Sequence, residues 1–200
     1  MRRTAPLLLV AVVAVAVGAG CADRVAPAAR VGDTVVTTDQ LLDEVSEWAG
    51  NDQTARATEL AGSTSEWGYA MAPVVSILHE RIILDITATT FDDLGLELTD
   101  ASRDEALGVL IGDPAQAEAA FAGFSDEYAD RYVDDFAKGV AVQQELGEEE
   151  FRAMILEGAR DVEVNPRFGT WDAANASIIP PEGPRPAPGT EVLTDPSAGL

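Results

Sequence analysis

Residues 162–172 read VEVNPRFGTWD. Val-Glu-Val alternates as a strand with one buried face does, and Pro166, which has no backbone N–H, marks where pairing stops. Almost everything between residues 38 and 160 reads as helix, so this short strand needs a partner from far away in the chain. The other β-branched run is VGDTVVTT, residues 31–38, where Gly32-Asp33 offers a turn. The expected fold is therefore mainly α, closed by a small two-stranded sheet in which residues 162–165 pair with residues 31–37. Val162 and Val164 face the helices in this reading, and Arg167, Phe168 and Trp171 cover the seam.

Outward from that clasp, the helices announce themselves by period and caps. Thr38 is positioned to cap DQLLDEVSEW, whose Leu41, Leu42, Val45 and Trp48 recur at helical spacing. Residues 53–61 read as a short helix, followed by a loop-like GSTSEWG. From Met71 to Phe91 runs a helix apolar over a wide arc, with Met71, Val75, Leu78, Ile82 and Ile86 on one stripe and Ile77, Leu84 and Phe91 on a second. Such a helix must be covered on several sides or leave a groove. Leu94-Gly95-Leu96 breaks it, Thr99 caps a helix ending at Gly112, and Asp113-Pro114 opens a short alanine-rich helix. Ser125 opens a long helix that stops at Gly147, and Glu148 to Glu150 place negative charge at the start of the last one.

The two ends of the chain read differently. Arg2 and Arg3, the apolar run Leu7 to Val17, and Gly18-Ala19-Gly20 have the layout of a secretory signal, residues 1–20, directly before the only cysteine, Cys21. That apolar run is shorter than the ~18 residues a spanning helix needs. Small residues before a lone Cys resemble a bacterial lipoprotein signal, in which the Cys is acylated and becomes the mature N-terminus. The match departs from the usual pattern in having Gly18 where a larger aliphatic is customary, and simple secretory cleavage after Ala19 or Gly20 is the competing outcome. Residues 21–29 read as a lipidated tether, 30–172 as the folded domain, and 173–200 as a Pro-rich disordered tail.

Composition limits the chemistry. With 13 basic against 35 acidic residues and a formal charge of −22, nucleic acid and anionic lipid surfaces are disfavoured partners. One histidine, His79, and one cysteine leave no His/Cys metal site. Adjacent carboxylates such as Asp134-Asp135 splay by about 100° on a helix, so they read as solvated faces and helix N-termini. No phosphate-cradling Gly-rich loop, calcium loop or nucleophile turn is visible. No enzyme activity, cofactor or metal is expected.

The order of elements resembles a known family. VGDTVVTTDQLLDEV, VVSILHERIILDITATTFDDLGLELTDASRDEAL and the closing DVEVNPRFGTWD look like the successive parts of the N-terminal domain of SurA/PrsA-type extracytoplasmic chaperones. Relatives often carry a parvulin-type prolyl isomerase domain of about 90 residues. Here Gly147 runs directly into the last helix, so the resemblance implies the chaperone domain without isomerase activity. It further implies a lipid-anchored protein on the extracytoplasmic face of the bacterial cell membrane that binds unfolded or newly exported polypeptides. Val74, Leu78, Ile82 and Phe91 either line a client groove or sit in the core. The alternative is a scaffold lipoprotein of the envelope with one dedicated protein partner.

Overall fold

In a computed structural model, residues 27–51, 69–112 and 116–181 are described. The signal region, Cys21, residues 53–61, Trp67 and Asp113-Pro114 lie outside them. The chain is mainly helical with a small antiparallel sheet. In order come β1 (Pro27–Val31), β2 (Thr34–Thr37), α1 (Thr38–Gly50), α2 (Met71–Asp93), α3 (Asp100–Ile111), α4 (Ala117–Ala120), α5 (Asp126–Leu146), α6 (Glu148–Gly158), a 3-10 turn (Ala159–Asp161), β3 (Val162–Val164), β4 (Thr170–Asp172) and β5 (Ser177–Ile179).

The clasp exists, with a different register and one more strand than expected. The sheet has three strands in the order β2-β1-β3, and β1 is central. Residues 162–164 pair with residues 29–31, Ala29 opposite Val164 and Val31 opposite Val162, while Val35 lies on the far side of β1 opposite Arg30. The expected pairing of residues 162–165 with the whole of residues 31–37 is thus corrected. Its source was the assignment of residues 21–29 to a tether. Ala28 and Ala29 are small enough to be enclosed and are 0% and 1% exposed, so Pro27 to Ala29 belong to the folded domain.

Asn165-Pro166-Arg167 is the lock on this clasp. The Asn165 N–H donates to the Ala28 carbonyl at 2.9 Å and its carbonyl accepts from Phe168 N–H at 2.9 Å, closing a turn with Pro166 inside it. The Asn165 side chain works in both directions, Nδ2 donating to the Pro27 carbonyl at 3.0 Å and Oδ1 accepting from Arg167 N–H at 3.1 Å. Asparagine is suited to the place because its amide can mimic a backbone unit within a turn, and proline supplies the fixed φ of the next position. The turn delivers Phe168, fully buried, into the core, and Trp171, whose indole N–H donates to the Ala159 carbonyl at 2.7 Å.

The folded part also extends past residue 172. Residues 173–176 turn and β5 pairs with β4, Thr170 opposite Ile179 and Asp172 opposite Ser177. The expected start of a disordered tail at 173 is therefore corrected for residues 173–181. The Asp172 carboxylate holds the turn by accepting from Ala174 N–H and Asn175 Nδ2. His79 fastens the hairpin to α2: its ring nitrogen Nε2 lies 2.8 Å from the Ala176 carbonyl. A carbonyl can only accept, so Nε2 carries the proton. Gly169, at φ +135°, leaves no room for a Cβ against the Ile179 carbonyl.

The helical caps follow local chemistry. α1 is capped by Thr37, extended at φ −80° and ψ 158°, in a capping box with Gln40. The expected cap, Thr38, is already helical and buried. Thr99 with Ser102, and Ser125 with the Tyr128 N–H, serve α3 and α5 as expected, and Gly147 at φ +81° separates α5 from α6. α2 lies at the centre, with α1, α5, α6 and β1 against it. Its Val74, Ile77, Leu78, Ile82 and Ile86 join Leu41, Val45, Val31, Val36, Val162 and Phe168 in one core. Asn165→Ala removes two side-chain hydrogen bonds from this clasp and is expected to lower stability by about 1–2 kcal/mol, measured by denaturant unfolding.

Candidate functional site

Charged residues inside the apolar α2 are the departure from pattern that leads to the site. Arg81 and Asp85 stand one turn apart on a helix otherwise built for the core, and both face α1 and α5. Arg81 Nη2 meets Asp85 Oδ1 at 2.7 Å, Nη1 meets Asp135 Oδ2 of α5 at 3.0 Å, and Nη1 lies 3.6 Å from Glu44 Oε1 of α1. Lys138 reaches Asp135 at 3.2 Å and Arg131 reaches Glu44 at 3.6 Å. One guanidinium thus ties three helices. Asp134 and Asp135 do splay as adjacent helical residues must, Asp134 toward Arg103 of α3 and Asp135 toward Arg81. The expectation that such pairs are solvated is corrected for Asp135, which is buried.

The electrostatics are those of an under-solvated cluster. Burial pushes the Asp85 carboxyl above its ordinary value, and Arg81 offsets this only in part. Asp85 Oδ2 is buried with no hydrogen-bond partner among the described residues. Burial raises Glu44 likewise, against the pull of Arg81 and Arg131. For Arg81, burial works to lower the pKa, but Asp85, Glu44 and Asp135 outweigh it and the net shift is upward. Beside the cluster, Trp48 donates to the Tyr128 hydroxyl and Tyr132 donates to Glu80, each at 2.5 Å. Burial drives both phenols upward.

The enclosed space among these groups is only about 10 Å³, about the room for one water. The cluster is packed shut as a tie between helices. Open space lies on its flanks, in two clefts along α2. One, of about 490 Å³, has an apolar floor of Val31, Ile86 and Met154 between α2 and α6, with Asp33, Glu157 and Asp161 about it. The other, of about 270 Å³, lies beside β2 and is lined by Asp43, Glu44, Asp85, Arg81 and Arg131. Thr34 lines both.

Between them runs a sheet edge that no described strand covers. Gly32 N–H bonds the Asp161 carbonyl and Asn165 N–H bonds the Ala28 carbonyl, with Arg30 opposite Glu163 midway. Antiparallel hydrogen-bonded pairs recur every second residue. Residues 28, 30 and 32 of the hairpin therefore turn their backbone groups to β3, and residues 29 and 31 turn theirs to β2. Val35, opposite Arg30, is left with its N–H and C=O directed away from the sheet. No described strand pairs with this side of β2.

The four residues read as either groove or core do not line these clefts. Val74, Leu78 and Ile82 are each 0% exposed and Phe91 is 4% exposed, so of the two readings the core one holds. Their apolar stripe is covered by α1, α5, α6 and the sheet. The signal for the charged site was Arg81-x-x-x-Asp85 within an apolar helix, but Glu44 and Asp135 come from helices remote in sequence. No family model matches the chain, and no curated protein or solved structure matches it.

Two outcomes follow from the cluster. Arg81→Leu, which strands the buried Asp85 and leaves Glu44 and Asp135 only Arg131 and Lys138, is expected to cost about 3 kcal/mol or more, whereas Asp85→Asn, which removes a poorly compensated charge, costs far less. A carboxyl raised on folding makes the native state bind more protons than the unfolded chain. Its stabilisation is full below the ordinary values of 3.8 for Asp85 and 4.5 for Glu44 and is lost as pH rises through the folded-state values. Thermal melts should therefore rise as pH falls from neutral toward that range, and less so in Asp85→Asn.

Proposed function

We propose that this chain is a lipid-anchored, extracytoplasmic, chaperone-type protein that holds unfolded or newly exported polypeptides, with a SurA/PrsA N-terminal-like domain and no isomerase or other covalent chemistry. The observation that carries the reading is the apolar cleft of about 490 Å³ beside an open sheet edge. Apolar burial drives association without ATP, and an exposed edge is a common way to receive extended chain. The secretory signal, Cys21 and the order of segments from residue 31 to 172 support the same reading. The acidic surface keeps a protein with an open apolar cleft soluble.

The client-facing residue in this reading is Met154, the partly buried part of the cleft floor, backed by Val31 and Ile86 from the core. It takes that role in place of the buried Val74, Leu78, Ile82 and Phe91. The full chain, in neutral detergent at stoichiometric ratio, is expected to slow aggregation of several unfolded substrates followed by light scattering. Met154→Glu, which places a charge on the cleft floor, should remove most of that effect. A chain that leaves aggregation of every substrate unchanged overturns the reading. One stable complex in a crosslinking pull-down, in place of many clients, supports the dedicated-partner scaffold instead.

A further inference from the structure

We infer that the outer edge of β2 docks an extended, basic polypeptide segment, which pairs with the backbone of Val35 and lays its side chains into the clefts on either side. This rests on the polypeptide-holding reading and specifies the occupant. The edge is short, a strand of four residues, and presents one outward N–H and C=O pair, at Val35. That pair supplies direction and register and too little main-chain bonding to act alone. Affinity and choice of partner then come from the flanking clefts.

Their charge selects the partner. Six carboxylates line the two clefts against two guanidinium groups; Glu44 and Asp85 are paired with Arg81 and Arg131, and Glu157 with Arg160, so the negative excess toward a partner is carried by Asp33, Asp43 and Asp161. Arg81 is engaged by Glu44, Asp85 and Asp135, and Arg131 lies against Glu44 and over the Tyr128 ring. The partner that fits has apolar side chains for the floor of Val31, Ile86 and Met154, with Lys or Arg beside them. A second copy of this chain is disfavoured at the same edge, because each brings a formal charge of −22.

Proline at position 35 isolates the edge from the fold. The Val35 N–H is not used within the sheet, and an edge strand tolerates proline where the missing N–H faces outward. The probes are a short fluorescent peptide of alternating Val and Thr with Lys at both ends, and its twin with Glu at both ends. Binding to the full chain in neutral detergent is read by anisotropy at low and high salt.

The Lys peptide is expected to bind about tenfold or more tightly than the Glu peptide, with salt narrowing the difference. Val35→Pro should weaken it by about five- to tenfold with an unchanged melting curve, while Val35→Thr retains it. The exposed pair Asp33→Asn with Asp161→Asn, which leaves the sheet and core untouched, should reduce the charge preference and serves even if Val35→Pro fails to fold. Equal binding of both peptides overturns the inference, as does full affinity in Val35→Pro. So does a dimer in sedimentation that Val35→Pro dissolves. If the inference fails while aggregation is still slowed, polypeptide holding survives with another site. If no peptide binds and no aggregation is slowed, the holding reading itself falls.

Discussion

Helix α2 cannot be left with an open apolar side, and the remaining elements are arranged by that constraint. Its buried residues include Val74, Val75, Ile77, Leu78, Ile82, Ile86 and Phe91, far more than the single stripe of a surface helix. α1, α5, α6 and the central strand β1 all lie against it. The close approach of α6 is set at Gly158, where a Cβ would stand 2.7 Å from the Ile86 Cγ2. Covering α2 thus brings the two ends of the domain together, and the β1–β3 clasp follows from that closure.

Enclosing α2 creates a second problem, because Arg81 and Asp85 are enclosed with it. A buried charge has to be paired, and the geometry pairs Arg81 with carboxylates from three helices. Among the described residues Asp85 keeps one oxygen without a partner, so the compensation there is incomplete. The tie orients α1 and α5 about α2 at a cost in desolvation. It also lies on the wall of the cleft beside β2, where the core network meets the open surface.

Much of the fold was legible in local chemistry. The Thr99 and Ser125 caps, the stop at Gly147, the apolar period of α2 and the strand character of residues 162–164 all act over a few residues. Legibility failed where small or ambiguous residues took their state from partners. Pro27 to Ala29 have no strand pattern of their own and became the central strand because β2 and β3 pair on both sides. Ser177 to Ile179 became a strand because His79 and β4 hold the turn before it.

The site divides along the same line. The amino-acid sequence by itself determined the apolar arc of α2, the excess of carboxylates, the absence of a His/Cys ligand set and the need for a clasp at residue 162. Each depends on composition or on neighbours within a turn of helix or strand. Only the tertiary structure decided that Val74, Leu78, Ile82 and Phe91 are buried in the core. It alone brought Glu44, Arg81 and Asp135 together and left Val35 on the side of β2 that no described strand covers. These depend on which elements pack across long sequence separations, and side-chain burial and strand register are properties of that packing.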